Sequence, residues 1–163
     1  MIVVSDNGPV AFLIQISRIE VLAQLYGQVV IPTAVLTELM RDQTPIVIRR
    51  WLDSPPHWIE VRSPHGHLEP GRSGFGEREA IQLAIELNAP LLCDDRQAMS
   101  QAKRNGVMVT GTLGVIQVAH ARGLVEIEDA IEDLRVRTDF RLPEAILPEI
   151  IKLAHQMRFR AGT

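Results

Sequence analysis

Ala89-Pro90-Leu91-Leu92-Cys93-Asp94-Asp95-Arg96 is the stretch on which the fold turns. Ala89–Cys93 is a short apolar run bounded by polar residues, which suits a buried strand better than a helix. Asp94-Asp95 ends it, and Arg96–Asn105 continues as a helix until Gly106 stops it. The chain opens with the same order of strand, acid and helix. Ile2–Val4 reads as a strand, and Ser5-Asp6-Asn7-Gly8-Pro9 breaks it. Val10, Leu13 and Ile14 then recur at helical spacing. Pro9 suits a first helical turn, where its missing N–H would be unpaired anyway.

Between these two units the pattern repeats. A helix is expected at about Ile19–Tyr26, ended by Gly27, then a strand at Gln28–Ile31. Pro32 starts a helix carrying Val35, Leu36, Leu39 and Met40. The stretch Asp42–Gly76 is less regular. It holds a short helix around Ile46–Leu52, a short strand around Ile59–Val61 and a Gly/Pro/Ser-rich loop from His65 to Gly76. Glu77–Asn88 is amphipathic. After Gly106 come a strand at Val107–Val109 and a helix at Leu113–Ala121, capped by Thr112 and stopped by Gly123. Two more helices follow, about Glu128–Thr138 and Pro143–Met157, and Pro148 is expected to kink the second. Short apolar strands alternating with helices predict an α/β fold with a mainly parallel sheet.

Bulk properties set further bounds. A chain of 163 residues can bury one sizeable core but not two ordinary ones. One domain over residues 1–163 is therefore expected, with a core at about 2–123 and C-terminal helices at 124–160. Aromatics are 4% of the chain, so the core must be mainly aliphatic. The net charge of -3 argues against binding nucleic acid by bulk charge alone. Local basic patches or bound metal ions would have to meet such a partner. The single cysteine, Cys93, excludes an intramolecular disulfide and suits a cytoplasmic protein; at a strand end it reads as a small buried hydrophobe. Neither a signal peptide nor an apolar run near the ~20 residues of a membrane span is evident.

Ligands of open α/β sheets bind beyond the carboxyl ends of the strands. Asp6, Asp94 and Asp95 fall at such ends. On the helix from Glu77, with each residue turned about 100° further round, Ala80, Ile81, Ala84 and Leu87 bracket Glu77. Glu77 is thus expected to face inward. Glu79, at about 200° among Arg78, Gln82 and Glu86, is expected to face water. Glu38 lies at the flank of its helix's apolar stripe. Carboxylates brought together repel one another, and a divalent cation with a preference for oxygen ligands relieves the repulsion. Asp95 also suits a plain N-cap, but two adjacent acids at one strand end call for a ligand role for at least one of them. His57, His65 and His67 lack zinc-like spacing to cysteines.

Taken together, the motifs resemble those of the PIN domains, which include VapC-type toxins of bacterial and archaeal toxin–antitoxin pairs. The residues that carry the resemblance are Val3-Val4-Ser5-Asp6-Asn7-Gly8-Pro9, Ile31-Pro32 with Glu38, Gly76-Glu77-Arg78-Glu79-Ala80-Ile81, Leu91-Leu92-Cys93-Asp94-Asp95-Arg96 and Gly111-Thr112-Leu113-Gly114. They span roughly Ile2 to Gly123, and the Gly-Glu and Asp-Asp forms mark a particular PIN-like branch.

The resemblance implies a three-layer α/β/α fold with four to five strands. It also implies a metal-dependent endoribonuclease that hydrolyses single-stranded RNA to leave a 5′-phosphate. Asp6, Glu38, Glu77 and Asp95 would be catalytic. With Asp94 beside them they would hold Mg²⁺ or Mn²⁺. A cognate antitoxin and a homodimer are the implied protein partners, with Ile146, Ile150 and Leu153 offering apolar surface for association. A competing reading is an inactive PIN-like module that binds RNA or protein. A phosphotransfer protein fits poorly, because Asp6-Asn7-Gly8 lacks a second acid and Lys103 is placed within a helix.

Overall fold

A computed structural model describes residues 1–162. Five strands form one sheet, all of them parallel: β1 (Ile2–Ser5), β2 (Gln28–Pro32), β3 (Ile59–Arg62), β4 (Leu91–Leu92) and β5 (Val109–Thr110). Their spatial order is β3-β2-β1-β4-β5. The chain therefore builds outward from β1 to β3, returns to the other side of β1 and builds outward again. The reversal falls between β1 and β4, which pair Val4 with Leu91 and Ser5 with Leu92. Loops after two such strands leave in opposite directions and open a crevice at their carboxyl ends.

The helices are α1 (Asn7–Gln15), α2 (Val21–Tyr26), α3 (Thr33–Leu39), α4 (Ile46–Asp53), α5 (Phe75–Glu86), α6 (Arg96–Arg104), α7 (Thr112–Ala121), α8 (Ile127–Arg137) and α9 (Leu147–Ala161). Successive strand residues point to opposite faces, and both faces are covered. Val3, Val29, Ile31 and Leu92 pack with residues of α1, α2, α3, α4, α7, α8 and α9. Val4, Val30, Leu91 and Cys93 pack with α5 and α6 on the other side. The architecture is thus three layers, α/β/α, as the resemblance implied. Burial on both faces is why these strands read as continuous apolar runs rather than alternating ones. No helix among the described residues is long and apolar enough to cross a membrane.

Two expectations need correction. Pro148 does not kink a long helix: α9 begins at Leu147, and Pro148 sits in its first turn, where no intrahelical N–H bond is lost. Thr112 is not the cap of α7. Gly111 holds that position without a side-chain bond, and Thr112 is the first residue of the helix, fully buried and engaged elsewhere.

Leu92, on β4 beside β1, is fully buried in the core on the helix face that includes α1 and α7. Leu92→Ala should lower unfolding stability by about 2–5 kcal/mol, whereas Pro148→Ala should shift it by less than about 1 kcal/mol. Chemical denaturation measures both. A large loss from Pro148→Ala would restore a special bend at that residue.

Candidate functional site

The acids gather at the β1/β4 crevice. Asp6 directly follows β1, is 2% exposed and caps α1 by accepting the Gly8 N–H at 2.9 Å. Asp94 follows β4. One of its carboxylate oxygens accepts the Thr112 N–H at 2.7 Å, and the other accepts the Thr112 hydroxyl at 2.6 Å. The last strand-to-helix turn therefore orients this carboxylate. Gly8 lies between the two acids. A Cβ on it would stand 3.0 Å from Asp94 Oδ2 and 3.7 Å from Asp6 Oδ1, so a side chain there would press on the Asp94 carboxylate.

Two helices supply the remaining acids. Glu38, near the end of α3, is half-buried and accepts from the Asn7 side-chain amide at 3.3 Å. It lies so close to α5 that a Cβ on Gly76 would come within 2.9 Å of Glu38 Oε1. Gly76 precedes Glu77, also half-buried, in the first turn of α5. The Gly-Glu pair thus does two things: it lets α3 approach α5, and it places a second glutamate beside the first.

The electrostatics follow from this packing. Burial pushes the Asp6 carboxyl up to about 7. The Cys93 thiol and the Gly8 N–H pull it down, while Glu77 and Asp94 push it further up. Burial and then Glu77 likewise raise Glu38, against a partial offset from Arg41. Burial raises Asp94, and the two Thr112 bonds oppose it. Cys93 is buried, and its thiol is pushed far up by burial and by the Asp6 charge. Its Sγ donates to the Asp95 carbonyl at 3.7 Å and acts on Asp6, so it is more than the plain hydrophobe expected from its place at the strand end.

The structure sets the two adjacent acids apart and corrects the expectation for Glu79. Asp95, named with Asp6, Glu38 and Glu77 as catalytic, is exposed and caps α6 by accepting the Ala98 N–H at 2.8 Å. Asp94, given the assisting part, is the strand-end acid whose charge reaches Asp6. Glu79 does not face water. It is 8% exposed, and its carboxylate accepts the Ala34 N–H at the start of α3 at 3.0 Å. The helical-wheel reading left out Leu83, which is fully buried one turn beyond Glu79 and widens the inward face to include it. Glu77 remains on that face. Asn7 is not singled out by the sequence reading, which expects Thr112 as an N-cap with a supporting role beside the acids. Their signal was adjacency: Asn7 follows Asp6, and Thr112 follows the turn after β5.

An open groove of about 790 Å³ reaches the site at Asp94 and Asp95 and is lined by Asn7, Gly8, Phe12 and Arg137 among others; Asp6, Glu38 and Glu77 do not line it. The donors are hard carboxylate oxygens, the chemistry a hard divalent cation takes. Among the described residues, however, no three His, Cys, Asp or Glu side chains converge closely enough to make a ready-formed metal site.

A doubly wound parallel sheet with acids clustered at its reversal point defines a class of α/β protein in which the crevice is the working site. The match is specific: residues 2–156 fit a family model described as PIN domain, and the chain belongs to that family. The PIN domain is a nuclease-type fold, and its members usually use divalent metals. A solved PilT N-terminus domain protein from the hyperthermophilic archaeon Sulfolobus solfataricus P2 shares the fold, with a TM-score of 0.52 and 24% identity over 86% of this chain and 100% of that one. No curated protein matches the chain.

The raised Asp6 carboxyl has a consequence for stability. The folded carboxyl titrates near 7 and the unfolded one near 3.8. The folded chain therefore holds a proton that the unfolded chain has released between those values. This contribution is full below about 3.8 and is lost as pH rises through about 7. In metal-free buffer, Asp6→Asn should therefore gain on the wild type with rising pH, by several degrees in Tm between pH 5 and 8, since a tenfold change in proton affinity is worth about 1.4 kcal/mol. A difference that does not vary with pH would contradict the burial of this charge. Glu79→Ala should cost about 1 kcal/mol by uncapping α3, as thermal melts would show.

Proposed function

We propose that the chain is a metal-dependent endoribonuclease that hydrolyses phosphodiester bonds of single-stranded RNA and acts as the toxin of a type II toxin–antitoxin pair. One observation carries this reading. Asp6 is buried at the reversal of the sheet, and the charged groups acting on it, Glu77 and Asp94, are both negative. Such an arrangement costs stability unless a cation shares it.

Asp6, Asp94, Glu77 and Glu38 would hold the ion, with Asp95 at the rim. A bound Mg²⁺ or Mn²⁺ supplies Lewis-acid polarisation of a phosphate oxygen and lowers the pKa of a bound water. The protein's own part is orientation. Gly8 holds Asp6, Thr112 holds both oxygens of Asp94, and Asn7 holds Glu38. No histidine lines the groove, so uptake of the proton from an attacking water falls to a carboxylate. The groove is open along one side, as access for a strand requires.

Among the described residues no three ligands converge, and this favours a second reading, an inactive PIN-like module that binds RNA or protein. Under the toxin reading the protein is cytoplasmic, meets a cognate antitoxin and forms a homodimer. Ile146 and Leu153, 55% and 50% exposed, are the apolar surface offered for that contact, while Ile150 turns partly into the core.

A cleavage assay on single-stranded RNA with Mn²⁺ or Mg²⁺ decides between the two readings. Asp94→Asn should reduce the rate by more than about a hundredfold, above what loss of an outer partner costs a metal site. Asp95→Asn should reduce it less than about tenfold. Excess chelator should abolish cleavage. Activity that survives chelation, or the reverse order of the two substitutions, would contradict the assignment.

A further inference from the structure

A second depression, about 500 Å³, lies between α6 and the loop that leads into α5, and Arg72, Ser73, Arg96, Ser100, Gln101 and Arg104 line it. Arg96, Ser100 and Arg104 are spaced by four residues and so form one stripe along α6, roughly 12 Å long at 1.5 Å per residue. Arg72 faces them from the loop. Arg18, Arg62, Arg135 and Arg158 all pair with carboxylates. The side chains of Arg72, Arg96 and Arg104 have no ion-pair or hydrogen-bond partner among the described residues. Three unpaired guanidinium groups thus share one cleft in a chain whose net charge is -3, and no acid lines it.

The cleft is held in shape. Gln101, 6% exposed, is its floor. Gly71 lies so close to Gln101 that a Cβ there would stand 2.7 Å from Oε1. The Ser73 hydroxyl donates to Gln101 at 3.5 Å, and Asn105 reaches Glu69 at 3.3 Å. Both walls then run into the acidic site. Arg96 directly follows Asp95 on one wall. On the other, Ser73 directly precedes Gly74, which packs against the Glu77 carboxylate.

We propose that this cleft binds the phosphodiester backbone of the RNA strand beside the bond held at the acids. The proposal rests on the nuclease reading above. Guanidinium forks match phosphate oxygens, and serine hydroxyls add neutral donors. No aromatic ring lines the cleft to stack a base, so the contact is with backbone and carries no sequence preference. An acidic peptide would satisfy the arginines equally well, but nothing about it would explain why both walls lead to the carboxylates.

The test is binding of a short, fluorescently labelled single-stranded oligoribonucleotide to the full chain in chelator, where no cleavage intervenes. Wild type is compared with an Arg96→Gln, Arg104→Gln double variant and with an Arg50→Gln, Lys152→Gln control that removes the same charge from exposed positions elsewhere. The cleft variant should bind about tenfold or more weakly. Its salt dependence should fall by roughly 1.4 in log–log slope, near 0.7 for each phosphate of a single strand left without its arginine. The control should bind within about twofold of wild type, and all three proteins should melt alike. Equal weakening in cleft and control variants, or none in either, would overturn the subsite. So would wild type that ignores RNA yet binds a polyglutamate peptide through these arginines. Cleavage with Mn²⁺ is scored separately. Arginine-dependent binding without cleavage upholds the subsite and removes the nuclease reading. Cleavage with arginine-independent binding does the opposite.

Discussion

The pairing of β1 with β4 is the constraint on which the molecule depends. These two strands are far apart in sequence, and they meet because the sheet reverses between them. Their pairing brings Asp6 next to Asp94. The helices that must cover the strands then carry Glu38 and Glu77 to the same edge. The site is therefore a product of topology, and it is assembled wherever the sheet is correctly ordered.

Assembling it is costly. The most buried of the acids, Asp6, has only the Gly8 N–H and the Cys93 thiol to offset burial and two negative neighbours. The surrounding structure holds it there through short-range devices: an N-cap at α1, a clamp from Thr112 on Asp94, and a side-chain-free contact at Gly76 that lets α3 and α5 close. Natural folds keep such strain where function needs it. Of the nearby arginines, Arg41 offsets only Glu38, and Asp6 keeps its two negative neighbours. The arginines of the α6 cleft stand beside the site rather than in it, which suits a substrate that is itself a polyanion.

Much of this was legible in the sequence. Strand and helix order, the parallel sheet and the inward face of Glu77 followed from periodicity and from apolar runs buried on both faces. Element ends shifted by a few residues, as at β4, where the expected Ala89–Cys93 narrows to Leu91–Leu92. That Asp94 is turned inward while Asp95 caps α6 was not legible, because nothing local tells two adjacent acids apart. Glu79 was misplaced because its burial depends on the N-terminus of α3, a tertiary partner invisible to a helical wheel. The kink at Pro148 failed for a simpler reason: the helix starts later than its apolar pattern does. The anchoring parts of Asn7 and Thr112 are contacts between distant elements, and their places at strand ends announce the neighbourhood but not the partner.

The central claim is that a divalent cation relieves the repulsion among these acids, and calorimetric titration of the metal-free chain with Mn²⁺ tests it most directly. The account predicts saturable binding of one or two ions to the wild type, lost when Asp6 and Asp94 are both replaced by asparagine in a chain that still folds. Wild type that takes up no Mn²⁺ at the millimolar level, or a double variant that binds it unchanged, would contradict it.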